Sequence, residues 1–112
     1  MSGGAGDPLE AERAAALAQI AALTREFDEV VAASKASNAD DEHDPEGATI
    51  AFERQQVVAL LEQARQRLSD VEAALVRREA GTHGICENCG RPIAPERLAA
   101  RPAARTCIDC AR

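Results

Sequence analysis

Residues 45–81 read PEGATIAFERQQVVALLEQARQRLSDVEAALVRREAG, and the larger apolar side chains in this stretch fall at steps of three, four or seven. Ile50, Val57, Leu61, Ala64, Leu68, Val71 and Leu75 therefore share one face of a helix, which predicts a long amphipathic helix with a thin apolar seam. The stretch carries both of its boundary signals. Asp44 before Pro45 suits a helix start, because a carboxylate caps free N–H groups and proline fits the first helical turn. Gly81 suits the end, because it enters the left-handed conformation without a Cβ penalty, and Arg77 and Arg78 complement the negative carboxyl end.

Upstream, a weaker seam of the same period runs through Ile20, Leu23, Phe27 and Val30, with Leu9 and Ala16 on the same stripe. Arg13 interrupts it, and Leu17 and Val31 widen it. Asp7, Pro8 and Glu10 form a variant of the capping box, placing the start of a first helix at Pro8. The periodicity fades after Ser34. The two helices would be about 45 and 55 Å long, a match that allows side-by-side packing. The short break between them favours an antiparallel hairpin over its competitors, a parallel dimer or a partly disordered chain.

Composition agrees with a fold lacking a deep interior. Of 112 residues 46% are nominally apolar, but 25 of these are Ala, and Leu, Ile, Val and Phe together number 21. A compact globular core is thereby excluded in favour of paired Ala-rich helices. No stretch suggests a secretion signal or membrane span, and the expected location is cytoplasmic. The net charge of −6 argues against a protein whose main task is to neutralise nucleic-acid phosphates. Residues 1–80 hold 16 acidic and 8 basic side chains, whereas residues 81–112 hold 3 and 5.

Downstream of Gly81, Cys86, Cys89, Cys107 and Cys110 make two CxxC pairs separated by 17 residues. Two-residue spacers let both thiolates of a pair bend around one ion, and four sulfurs complete the closed tetrahedron of a structural zinc site. A redox CxxC, an iron–sulfur cluster and two disulfides fit less well: a tail of this length has no strand-and-helix redox scaffold, and iron–sulfur spacings usually differ. Gly90 suits a turn that aims backbone N–H groups at sulfur. Without metal the tail is not expected to fold, since Ile85, Ile93, Leu98 and Ile108 are its only larger apolar residues. His83 reads as a turn or outer-shell residue. Arg91, Arg97, Arg101, Arg105 and Arg112 read as a solvated surface or as contacts to an acidic partner or phosphate.

The remaining concentration of charge lies between the helices, where Asp40, Asp41, Glu42, Asp44 and Glu46 put five carboxylates in seven positions, with His43 among them. Asp44 and Glu46 favour the start of the second helix, but Asp40, Asp41 and Glu42 follow the negative end of the first. An exposed turn explains such a cluster, as does a tip placed where negative charge acts on a bound Mg²⁺ or on basic groups.

From Gly81 the chain reads Gly-x-x-Gly-x-Cys-x-x-Cys-Gly-x-Pro-Ile, and the Arg91-Pro92-Ile93 and Glu96-Arg97-Leu98 stretches lie between the cysteine pairs. This pattern, behind a helical hairpin with an acidic tip, resembles the DksA/TraR family of bacterial transcription factors. The resemblance implies a C4 zinc finger on Cys86, Cys89, Cys107 and Cys110. It also implies binding to RNA polymerase, with the coiled coil in the secondary channel and the tip near the catalytic Mg²⁺, modulating initiation without reading a DNA sequence. The family's tip pattern Asp-x-x-Asp-x-Ala falls on Asp41 and Asp44 with Glu46 at the Ala position, or begins at Asp44 with Gly47 at the second Asp. A carboxyl-terminal helix of longer relatives is expected to be absent after Cys110, and guanosine tetraphosphate is not expected as an effector.

The expected architecture is thus all-α: residues 1–7 flexible, 8–80 a two-helix coiled-coil hairpin with its acidic tip near 40–47, and 81–112 a zinc module. The expected protein is a monomeric transcription regulator with one structural Zn²⁺ and no catalytic activity, since no nucleophile–base pair or phosphate-binding loop is present. The alternatives are a zinc-stabilised coiled-coil adaptor and, less favoured by charge, a DNA-binding zinc module.

Overall fold

The computed structural model describes residues 7–38 and 45–111. Three helices follow in order: α1 (Pro8–Asn38), α2 (Pro45–Ala80) and the short α3 (Pro95–Ala100). Among the described residues the only β pairing is an antiparallel bridge between Ile85 and Pro92. No helix among them is long and apolar enough to cross a membrane. The predicted tip residues Asp40, Asp41, Glu42, His43 and Asp44 lie outside the described residues, as do the side chain of Glu46 and residues 1–6.

Two of the helix boundaries read from the sequence, at Asp7 and at Gly81, are built as expected, and the Asp44 cap lies outside the described residues. The Asp7 carboxylate accepts the Leu9 N–H at 2.9 Å, and its carbonyl accepts the Ala11 N–H at 2.9 Å, so Asp7 caps α1 with Pro8 in the first turn. At the end of α2, Gly81 takes φ +81°; its N–H bonds the Arg78 carbonyl at 3.1 Å, and the Thr82 N–H bonds the Arg77 carbonyl at 2.8 Å. This paired closure is the Schellman arrangement, which satisfies carbonyls that a helix end otherwise leaves free.

The described chain divides into two compact units. One is Ala16–Gln66. Its core is a buried cluster of Leu23, Val57, Leu61 and Ala64, with Ile20 and Phe27 packed against it. The other unit combines the chain through Ala15 with the chain from Arg67. There Leu9, Val71 and Ala74 are buried, and Cys86, Ile93 and Ala104 form a separate cluster.

Ion pairs in this second unit record the direction of the helices. Arg67 Nε lies 2.9 Å from Glu12, Arg13 lies 3.5 Å from Glu72, and Arg78 pairs with Asp7 and, at 3.8 Å, with Glu10. Residues early in α1 meet residues late in α2, as an antiparallel pair requires. Each pair is solvent-exposed and individually weak, under about 1 kcal/mol, so their joint effect is on register more than on stability.

The seam differs in depth from the sequence reading. Leu68, Leu75 and Ile50 are half-buried, Leu17 is exposed, and fully enclosed positions include Ala16 and Ala74. Small residues sit deepest because they let helices approach closely, and larger neighbours then fill the flanks. Arg13 does not break the packing. Its aliphatic stem stays half-buried while its guanidinium reaches Glu72.

Candidate metal centre

Beyond Gly81 the backbone turns at Gly84, which takes φ +90° and accepts the Ile93 N–H at 2.7 Å. The Cys86 N–H donates to the Arg91 carbonyl at 2.8 Å, so the first cysteine pair sits on a tight loop pinned at both ends. Within it the Gly90 N–H closes on the Cys86 carbonyl at 2.9 Å, and the Cys89 N–H points at Cys86 Sγ, 3.4 Å away. Gly90 takes φ +78° with open space where a Cβ would stand, so backbone conformation alone requires glycine there. The second pair repeats the loop, with the N–H groups of Cys110 and Ala111 on the Cys107 carbonyl at 3.1 and 3.0 Å.

These loops bring all four sulfurs within 4.8 Å of one another, with Cys89 and Cys107 Sγ atoms 3.8 Å apart. A tetrahedron with metal–sulfur bonds of ~2.3 Å has edges of about 3.8 Å, so the spacing is that of sulfurs sharing one ion. Burial is graded around the cluster. Cys86 is 1% exposed, Cys107 and Cys110 are half-buried, and Cys89 is exposed. Ile93 and Ala104 join Cys86 in the buried cluster, with Leu98, Cys107 and Cys110 packed against them.

The electrostatics call for a cation. The backbone N–H of Cys89, followed by that of Cys107, pulls the Cys86 thiol down to about 6. Cys110 moves the other way. The Asn88 side chain favours its thiolate, but contacts with Cys107 and Cys86, together with burial, push it up to about 11. Thiolates this close repel one another, and a divalent cation at their centre removes the conflict. Four soft donors fit one structural Zn²⁺, whose binding would supply folding energy.

His83 is not among the donors: its Nε2 lies 2.8 Å from the Pro102 carbonyl. Two of the five tail arginines have partners within the chain. Arg97 Nε donates to the Thr106 carbonyl at 2.8 Å, and Arg105 lies 3.9 Å from Glu87 and 4.0 Å from Asp70. Helix α3, which carries Arg97, went unread from the seams, although Pro95 in a first turn followed by Glu96 is a start signal.

An antiparallel helix pair running into a four-cysteine knuckle pair defines a small helical zinc-finger protein. Residues 81–112 match the family model described as prokaryotic dksA/traR C4-type zinc finger. The match supports the DksA/TraR resemblance over the cysteine module. The chain is 44% identical over 69 residues to the uncharacterized protein YteA of Bacillus subtilis, covering 62% of this chain and 29% of that one. It is 44% identical over 46 residues to the RNA polymerase-binding transcription factor DksA of Escherichia coli, covering 41% and 30%. Among solved structures it is similar to transcription factor DksA2 from Pseudomonas aeruginosa. That likeness has a TM-score of 0.57 and 26% identity, over 92% of this chain and 79% of that one. The chain spans less than half the length of the curated relatives it matches.

Proposed function

We propose that this chain is a transcription regulator that binds RNA polymerase through the secondary channel and modulates initiation without sequence-specific DNA reading. The observation that carries the proposal is the direct run of an antiparallel helix pair into a four-thiolate knuckle pair, an arrangement similar to that of transcription factor DksA2, beside sequence similarity over 46 residues to the RNA polymerase-binding transcription factor DksA. In this reading Cys86, Cys89, Cys107 and Cys110 are the zinc ligands, and residues 81–112 form a module distinct from the hairpin of 8–80. The segment between the helices is the regulatory tip, with Asp41 and Asp44 central and Asp40, Glu42 and Glu46 supporting. The protein acts in the cytoplasm as a monomer and carries no catalytic site, since the four-thiolate ion has no open position for substrate.

The test uses the full chain and RNA polymerase from the same organism. The parent protein is expected to co-purify with polymerase and to alter initiation in a reconstituted assay. Changing Asp41 and Asp44 together to Asn preserves size, and Asn is also a good helix cap. Polymerase affinity should then change by less than about tenfold, the scale of exposed charge contacts. The transcriptional effect should fall much further, because carboxylates near a catalytic Mg²⁺ act where screening is weak. Equal regulation by the doubly substituted protein would remove the tip from the mechanism; a parent that binds no polymerase would leave the adaptor reading in its place.

A further inference from the structure

Five consecutive carbonyls lead into Cys107, and each accepts a hydrogen bond from a group outside the segment. The Pro102 carbonyl faces His83 Nε2 at 2.8 Å, which places a proton on that nitrogen, because a carbonyl can only accept. The Ala103 and Ala104 carbonyls share the Arg77 Nη2, 3.5 Å from each. The Arg105 carbonyl takes the Glu87 N–H at 2.9 Å, and the Thr106 carbonyl takes Arg97 Nε at 2.8 Å.

Residues 102–106 form no helix or strand, so their carbonyls have no ladder to join and would ordinarily turn to water. Here the donors come from the end of α2, the turn after it, the first cysteine loop and α3. Arg77 also has a simpler reading, as a cation complementing a helix carboxyl end. The neighbouring Arg78 argues against that as a full account. At the same helix end Arg78 turns to Asp7 and Glu10, while Arg77 turns to the strap before Cys107.

We propose that Arg77, His83 and Arg97 are positioning residues of the metal centre: they hold Pro102–Thr106 so that the second cysteine pair meets the first. Retention of the ion is thereby tied to the end of α2. The inference rests on the four cysteines being the ligands, and it goes beyond them to groups that touch no metal. Outer-shell partners that orient ligands commonly change metal affinity by 10- to 100-fold when removed.

The experiment follows transfer of Zn²⁺ from the full chain to an excess of a chromogenic chelator at neutral pH, after native mass measurement shows one ion per parent chain. Arg77→Met and Arg97→Met should each release the ion roughly tenfold faster or more. Arg78→Met removes a charge from the same helix end without touching the strap and should release it at the parent rate. Co²⁺-loaded Arg77→Met should show weakened or shifted tetrahedral thiolate bands, a change that general loss of surface charge does not produce. Parent-like release from both Arg77→Met and Arg97→Met would overturn the proposal. So would Arg78→Met releasing as fast as Arg77→Met, since that outcome assigns the effect to the helix end at large. Helical ellipticity is recorded for each variant, and Arg97→Met, which leaves α2 untouched, carries the test if Arg77→Met loses helix. A parent without bound zinc would instead refute the ligand assignment itself.

Discussion

At Asp7 one carboxylate serves two helices, accepting the Leu9 N–H at the start of α1 and pairing with Arg78 near the end of α2. The Arg78 bond is the larger influence, and with the Leu9 N–H it holds the carboxyl below its ordinary 3.8 despite some desolvation. Arg67 does the same for Glu12, whose ordinary value is 4.5. A group whose folded value is depressed contributes stability that is present above its unfolded value and is lost as pH falls through the folded one. Thermal unfolding should therefore change little from neutral pH down to about 5 and then lose a modest part of its Tm as these exposed carboxylates gain protons. Asp7→Asn keeps a capping oxygen and removes the charge. Its Tm should lie below the parent's at neutral pH and converge with it as pH falls through the lowered folded value, whereas parallel curves would show that the Arg78 pair contributes nothing.

At the scale of elements, the end of α2 is fixed by conformation and its seam by volume. Gly81 has open space around its missing Cβ, so Gly81→Ala meets no clash and its cost is that of holding a left-handed residue, about 1 kcal/mol. Urea denaturation should show that loss, with Gly81→Asn losing less. Ala74 is 0% exposed, and Ala74→Leu should destabilise by about 1–3 kcal/mol through overpacking. Leu17→Ala, at a position 40% exposed, should cost far less. The seams, the Asp7 cap, Gly81 and the cysteine quartet were legible because each has a period, a spacing or a residue type that one physical need selects. Ala74 was not, since alanine is so frequent here that a buried one looks like its neighbours. The strap before Cys107 was hidden for a different reason: its acceptors are main-chain carbonyls, which every residue supplies, and its donors stand up to 27 positions away, as from Arg77 to Ala104.

For the molecule as a whole, apolar packing holds Ala16–Gln66 together, whereas the cysteine module depends on sulfur and an ion. Removing zinc with a strong chelator, or replacing Cys107 with Ser, should abolish ordered amide signals over residues 81–111 while most helical ellipticity remains. Retention of an ordered module without metal would contradict the zinc reading. The acidic excess lies before residue 81 and the basic excess after it. The small cluster of Cys86, Ile93 and Ala104 bears on how the newly made chain acquires its shape. Three buried side chains, one of them a ligand, form a small core, so ion capture and folding of the module are expected to coincide. Its first two ligands lie two residues apart in a local loop, and the other two wait on closure of a 17-residue excursion. Metal delivery is therefore expected to limit how fast the module matures.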